Sequence, residues 1–254
     1  MAGRDATVLL TNDDGIRAAG LRVLAEAFES RYDRVVVVAP DREQSGASHA
    51  LTIRSPLRVE RLSERWYAVE GTPTDCVNLA FHEVLEEPPH LVVSGINRGY
   101  NLGDDVTYSG TVAGALEGRI LGAQGLAVST DPEAGEELYR EAARIALDLA
   151  ERLLDGGLPR DGFLNVNVPP GARGFRVTRQ GRRRYRKGLI ARRDPKGREY
   201  YWIGLAPSEW EPDPKADHTA VADGYVSVTP LHSDLTHHRA IPVVEGWGLP
   251  QEGP

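Results

Sequence analysis

The chain has one cysteine, Cys76, and one methionine among its 254 residues. A single thiol excludes an intramolecular disulfide and any metal centre built on several thiolates. Lysine is nearly as scarce, with three against 27 arginines, a bias that fits a GC-rich genome and a thermophile equally. No apolar run approaches the roughly 18–20 residues of a membrane span. Residues 1–5 lack the apolar core of a signal peptide, so the expected location is the cytoplasm. Basic residues are in deficit, 30 Lys and Arg against 37 Asp and Glu, for a net charge of −7. That argues against a dedicated nucleic-acid binder. It also means that an anionic substrate needs local positive charge, from a metal or from helix N-termini. There is no Gly-Lys-Ser/Thr phosphate loop, and no Gly-x-Gly-x-x-Gly follows the first strand, so neither a P-loop nor a dinucleotide cofactor is expected. No internal repeats are visible.

What remains is an ordinary globular composition, 41% hydrophobic and 26% charged. A chain of this length buries a substantial core as one large domain or two small ones. Near its start, Thr7-Val8-Leu9-Leu10 runs into Thr11-Asn12-Asp13-Asp14-Gly15. The run reads as a buried strand ending at two adjacent carboxylates, with Gly15 supplying a turn. Adjacent carboxylates repel, and neither ionises comfortably near a core, so a divalent cation would relieve both. A plain Asn-Asp-Gly turn is the alternative on these residues alone.

Leu21, Leu24, Ala25 and Phe28 recur at helical spacing, and 34–39 is a continuous β-branched strand. Together they make a right-handed βαβ unit. The polar segment 40–49 follows that second strand, at the same sheet edge as Asp13 and Asp14, where ligands bind in open α/β sheets. Short antiparallel strands are expected at 51–53, 57–59 and 66–69. Thr72-Pro73-x-Asp75 is a helix start with a capping box, and Cys76 on that helix reads as a packing residue. Residues 90–95 form another buried strand. Its polar, glycine-rich continuation leads through Asn97 and Asn101 to a helix beginning near Ser109-Gly110-Thr111. A helix start exposes amide N–H groups and a positive dipole end, which suits a phosphate. Strands at 125–129 and 163–168 flank a long amphipathic helix, and a last strand covers 225–229.

Residues 173–198 hold 12 Lys or Arg against one acid, with Tyr185 and 200–202 supplying aromatics, and the pattern suggests a hairpin turning near 194–197. Basic and aromatic residues together also suit nucleic acid, although an arm packing on another subunit is the preferred reading. The histidines 232, 237 and 238 match no metal spacing, and the tail after Ile241 is expected to be extended.

Asp13, Asp14, Ser45 and Asn97 thus converge from three loops at one edge. All offer oxygen, which favours a hard cation such as Mg²⁺, Mn²⁺ or Ca²⁺ over Zn²⁺. Metal plus phosphate cradle is the equipment of phosphoester hydrolysis. An aspartyl-phosphate route is disfavoured, because its signature needs Asp-x-Asp.

The motifs Asn12-Asp13-Asp14-Gly15, Ala39-Pro40-Asp41-Arg42 with Ser45-Gly46-Ala47-Ser48, and Gly71-Thr72-Pro73-Thr74-Asp75-Cys76 recur in order with Ser94-Gly95-Ile96-Asn97. Asn101-Leu102-Gly103-Asp104-Asp105, Tyr108-Ser109-Gly110-Thr111 and Gly224-Tyr225-Val226-Ser227 complete the set. In these motifs the sequence closely resembles the SurE family of stationary-phase survival proteins, metal-dependent acid phosphatases and nucleotidases. The resemblance implies a Rossmann-like, doubly wound, mostly parallel three-layer α/β fold, with 1–170 as catalytic core. Residues 171–254 would supply a hairpin arm, a final strand and a tail exchanged between subunits of a dimer or tetramer. It implies one divalent ion per subunit held by Asp13, Asp14, Ser45 and Asn97. Asn101, Ser109, Gly110 and Thr111 would hold the phosphate, with Asp13 or Asp14 as base. The implied substrates are nucleoside monophosphates, with short polyphosphate a further candidate. Neither a membrane nor nucleic acid is an expected partner.

Overall fold

A computed structural model describes residues 4–159, 161–184, 188–203 and 209–249. Strand β1 (Thr7–Thr11) leads into α1 (Ala19–Glu29), β2 (Arg34–Pro40), β3 (Val59–Arg61), β4 (Trp66–Val69) and α2 (Pro73–Leu79). Next come β5 (Leu91–Arg98), α3 (Gly110–Ile120), β6 (Gln124–Thr130), α4 (Glu136–Asp155) and β7 (Gly162–Val168). The C-terminal part contributes β8 (Phe175–Val177), β9 (Arg183–Arg184), β10 (Leu189–Arg193), β11 (Glu199–Ile203) and β12 (Glu209–Trp210). It ends with α5 (Asp217–Ala222), β13 (Val226–His232) and α6 (Ile241–Glu245).

Among the described residues the central sheet runs β3-β4-β2-β1-β5-β6-β7-β13-β8. From β4 to β7 every neighbouring pair is parallel. The chain winds outward from β1 to β2 and β4, then restarts at β5 on the other side of β1. The β1–β5 seam is therefore the topological switch point, where strand ends diverge and leave a crevice. α1 packs with α4 on one face, and α2 with α3 on the other. This is the expected three-layer α/β fold, and β13 joins the same sheet antiparallel to β7.

The strands form where apolar and β-branched side chains run unbroken, because both faces are covered. All of β1 is buried, and each fully buried Val or Leu there contributes about 1.5–3 kcal/mol. The capping box at α2 is present in both halves. Thr72 Oγ1 accepts from the Asp75 N–H at 3.1 Å and Asp75 Oδ2 accepts from the Thr72 N–H at 2.8 Å. Past Leu79 the helix widens into a π-helical turn, Ala80–Val84, which carries the rest of the apolar stripe. Cys76 is fully buried on this helix, and burial pushes its thiol well up.

Three expectations are corrected. Residues 51–53 form no strand. Thr52 instead gives its N–H (2.9 Å) and hydroxyl (2.6 Å) to the Asp75 carboxylate, so its backbone donor is spent on a cap rather than on a ladder. The expected strand at 57–59 begins only at Val59. The tail is helical over Ile241–Glu245, with Pro242 in the first turn, where its missing N–H costs nothing. The hairpin turn does fall at Asp194, which accepts the Gly197 N–H at 2.9 Å. Tyr185, the start of the Pro-rich 207–217 stretch and the tail from 250 lie outside the described residues. No described helix is long and apolar enough to cross a membrane.

Candidate active site

Strand β1 stops because Asn12 turns the chain. Its Oδ1 accepts the Gly15 N–H at 3.2 Å and its Nδ2 donates to the Gly15 carbonyl at 3.0 Å. Gly15 has φ +97°, and a Cβ there would sit 3.1 Å from the Arg42 carbonyl carbon. The Ile16 N–H donates to Pro40 at the end of β2, at 2.7 Å. The segment is thus a tight turn, and the turn places Asp13 and Asp14 at the switch point.

Asp13 points at the start of α3. Its Oδ1 accepts the Thr111 hydroxyl at 2.5 Å, and the Thr111 backbone N–H also bonds to its carboxylate. Gly110 makes the approach possible, since a Cβ there would lie 2.8 Å from Asp13 Cβ. Asp13 is 5% exposed. Burial pushes its carboxyl up to about 6, the Thr111 hydroxyl opposes this, and the Asp14 charge adds to it. Asp14 lies toward the opposite layer, where it is felt by the buried hydroxyl of Tyr139 on α4. Burial raises the Asp14 carboxyl first, the Arg98 N–H on Oδ2 (3.1 Å) pulls it down, and the Glu43 charge pushes it up.

β5 slips register against β6 between Ser94 and Asn97. A bulge of this kind re-aims the side chain beyond it. Asn97 gives its amide NH₂ to the Gly99 carbonyl at 2.7 Å, which leaves its oxygen as the end available to a cation. Ser45 stands exposed on the loop after β2 and donates to Glu43 Oε1 at 2.7 Å. The loop is tied beside Asp13, whose carbonyl accepts the Gln44 N–H at 2.8 Å.

Asn101 is held by the sheet beneath it. Its N–H donates to Asn167 Oδ1 at 2.8 Å and its side chain to Ser129 Oγ at 2.7 Å. Asn165 and Asn167 both donate to its carbonyl, at 2.8 and 3.1 Å. Ser109 caps α3 by accepting the Val112 N–H at 3.1 Å. Thr111 is fully buried and its hydroxyl and N–H serve Asp13. Both Thr111 donors are therefore taken by the protein's own carboxylate.

Three features went unread in the sequence: the Thr111–Asp13 contact, the Glu43 carboxylate beside Asp14, and Arg98. Arg98 is exposed next to Asn97, and its Nε donates to the Pro132 carbonyl at 2.8 Å. Its terminal nitrogens make no hydrogen bond to the described residues. Among these residues no three His, Cys, Asp or Glu side chains could together hold a metal, so a cation here needs the hydroxyl and amide oxygens as well. A cleft of about 540 Å³ lined by Thr7, Arg34, Val36 and Arg65 lies at the amino end of the strands, away from these groups.

The basic stretch is largely paired. Arg183 meets Asp105, Arg184 meets Glu211 at 3.0 Å, Arg193 meets Glu199 at 2.7 Å and Arg198 meets Asp194 at 2.8 Å. Charge neutralised locally is little use to a phosphate backbone.

The family model described as Survival protein SurE matches residues 8–187. The chain belongs to the SurE family. A 5'-nucleotidase SurE of Syntrophotalea carbinolica is 49% identical over 244 residues, 95% of this chain and 97% of that protein. A 5'-nucleotidase SurE of Geotalea daltonii is 50% identical, covering 95% of this chain and 99% of its own. The crystal structure of the SurE protein from Aquifex aeolicus superposes with TM-score 0.82 at 44% identity, over 95% of this chain and 99% of that one. SurE relatives thus align over about 95% of this chain.

Proposed function

We propose that this SurE-family chain is a metal-dependent phosphomonoesterase that hydrolyses nucleoside monophosphates to nucleoside and phosphate. The observation that carries the reading is the pair Asp13 and Asp14, adjacent and both raised from the ordinary carboxylate value by burial, at the switch point of the sheet. The names of its relatives point to the same substrate class.

The donor set fits one divalent ion. Asp13, Asp14, Ser45 and Asn97 would hold it, and four oxygens of this kind suit Mg²⁺ or Mn²⁺, with Ca²⁺ compatible. When bound, the ion neutralises charge on the phosphoryl oxygens. The chain's own groups do the rest. Thr111 fixes Asp13 through two hydrogen bonds. Asn101, Ser109, and Gly110 at the start of α3 line the side where the phosphate would lie. Arg98 adds a cationic fork that can pair with phosphoryl oxygens. Asp14 keeps Oδ1 clear of the Arg98 N–H, and Oδ1 takes the proton of the attacking water as its oxygen bonds to phosphorus. The ester P–O bond breaks and the nucleoside oxygen leaves with a proton from solvent.

The decisive test is phosphate release from AMP and a panel of 5′- and 3′-monophosphates and short polyphosphates, with Mn²⁺ or Mg²⁺ and with EDTA. Activity that survives EDTA, or survives both Asp13→Ala and Asn97→Ala, overturns the metal assignment. A cytoplasmic setting suits a chain with one buried thiol. Self-association as a dimer or tetramer through the arm and tail is supported by the exposed Tyr201, Trp202, Ile203, Val243 and Trp247. Light scattering tests it.

A further inference from the structure

Asn101 and Ser109, both on the phosphate side, are joined by a short span that contains the 3₁₀ helix Gly103–Thr107. At Gly103 that span is held by the C-terminal segment. The Gly103 N–H donates to Asp217 Oδ2 at 2.8 Å, and its carbonyl accepts from Gln180 Nε2 at 3.0 Å. The Trp210 ring lies so close that a Cβ on Gly103 would come within 2.6 Å of it. The Arg183 N–H donates to Asp104 Oδ2 at 2.8 Å, and the Arg183 guanidinium pairs with Asp105. At the far end, Ser48 donates its hydroxyl to the Thr107 carbonyl (2.6 Å) and its N–H to that of Tyr108 (3.1 Å).

Asp217 is the node of this brace. It is fully buried, and Oδ1 accepts the Gly181 N–H at 3.0 Å and the His218 N–H at 2.7 Å, while Oδ2 takes Gly103. One carboxylate thus joins the entry to the arm, the start of α5 and the active-site span. Above it, His218 stacks on Trp210 with ring centroids 4.4 Å apart and planes within 6°, and Arg183 lies 5.1 Å from the Trp210 ring. An ionised carboxylate is acceptor-only at both oxygens. An amide in its place would turn a donor toward one of these N–H groups.

We propose that Asp217 is a positioning residue for the reaction. It sets Gly103, and through Gly103 it sets Asn101 and Ser109, so the active site is completed by a segment more than a hundred residues further along the chain. This rests on the phosphate-side assignment of Asn101 and Ser109.

The test compares wild type with Asp217→Asn. With AMP and Mn²⁺, kcat/KM should fall about tenfold to a hundredfold, the loss of a charge-assisted hydrogen bond. Mn²⁺ affinity, measured calorimetrically without substrate, should stay within about twofold, since hydrogen bonds from Gly103 touch no metal candidate. Hydrogen exchange at the Gly103 amide should speed up about tenfold or more, as expected when a local protecting bond is lost. Leu153→Ala, on the buried face of α4, controls for stability and should keep its kcat/KM. If Asp217→Asn does not fold, Gln180→Ala frees only the Gly103 carbonyl and should show a smaller loss of the same kind. Unchanged kinetics in a folded Asp217→Asn or Gln180→Ala protein overturns the proposal. So does an equal loss in Leu153→Ala at matched melting temperature. A wild type that hydrolyses no monophosphate fails at the earlier step, and removes the functional reading itself.

Discussion

Asp13 and Asp14 at the β1–β5 edge are displaced in the opposite direction to Asp194 and Asp213 of the C-terminal part. At the edge, burial pushes Asp13 up to about 6 and raises Asp14. On the arm, the Arg198 N–H holds Asp194 below the usual carboxylate range, and the Arg179 guanidinium does the same to Asp213. The arm satisfies its charges with its own arginines. The edge leaves two carboxylates under electrostatic stress, and a metal cation is the partner we propose to relieve it. Apolar groups divide the same way. β1 is entirely buried, while Trp202 and Ile203 on β11 are 64% and 90% exposed. The proposed site lies in the first region, and the proposed contact surface in the second.

The contrast can be broken in order of expected effect. Asp13→Ala should lower kcat/KM by about a thousandfold or more, as when a principal electrostatic group is removed. Circular dichroism should show the fold retained. Loss of less than about tenfold would mean that the edge is not where the chemistry happens. Next, Phe28→Ala, fully buried on the inner face of α1, should cost about 3–5 kcal/mol in urea unfolding. Trp202→Ala should change monomer stability by less than about 0.5 kcal/mol and act instead on oligomer size. Equal costs would erase the distinction between the regions.

The third prediction concerns pH. In chelated protein the Asp13 carboxyl titrates at about 6 when folded, against an ordinary 3.8. An acid raised on folding favours the folded state while protonated. Its contribution is full below about pH 4 and is lost as pH rises through about 6, on the order of 3 kcal/mol. Metal-free wild type should therefore lose stability relative to Asp13→Asn between pH 4 and 6.5, and Mn²⁺ should restore it. A parallel pair of curves would remove the stress on Asp13. Fourth, Arg98→Ala should raise KM about tenfold with metal affinity unchanged, the share of one charged hydrogen-bond pair. The last prediction belongs to the arm. Arg184→Ala, losing a surface pair with Glu211, should move stability by no more than about 1 kcal/mol.

The sheet and its switch point were legible because β1, β2 and β5 to β7 are unbroken apolar runs between helix patterns. The Thr72–Asp75 cap was legible because both partners lie within one turn. What escaped depends on distance along the chain. Thr111 meets Asp13 across 98 residues, and Gly103 meets Asp217 across 114. A hydroxyl at a helix start reads as a phosphate donor until another loop's carboxylate is found there. Leu51-Thr52-Ile53 alternates like a strand, yet its donors are taken by Asp75, which no local pattern reveals. Arg98 is one arginine among many, distinguished only by the strand end on which it stands.

The buried thiol of Cys76 has a practical consequence for watching this molecule move. A chain whose one sulfhydryl is sealed inside and held protonated is, at its surface, already a cysteine-free background. A cysteine placed at the hairpin tip, as in Lys196→Cys, and another near the mouth of the crevice would be the reactive pair. Dyes attached to them would report the distance between arm and crevice in solution, with no native cysteine removed to prepare the ground.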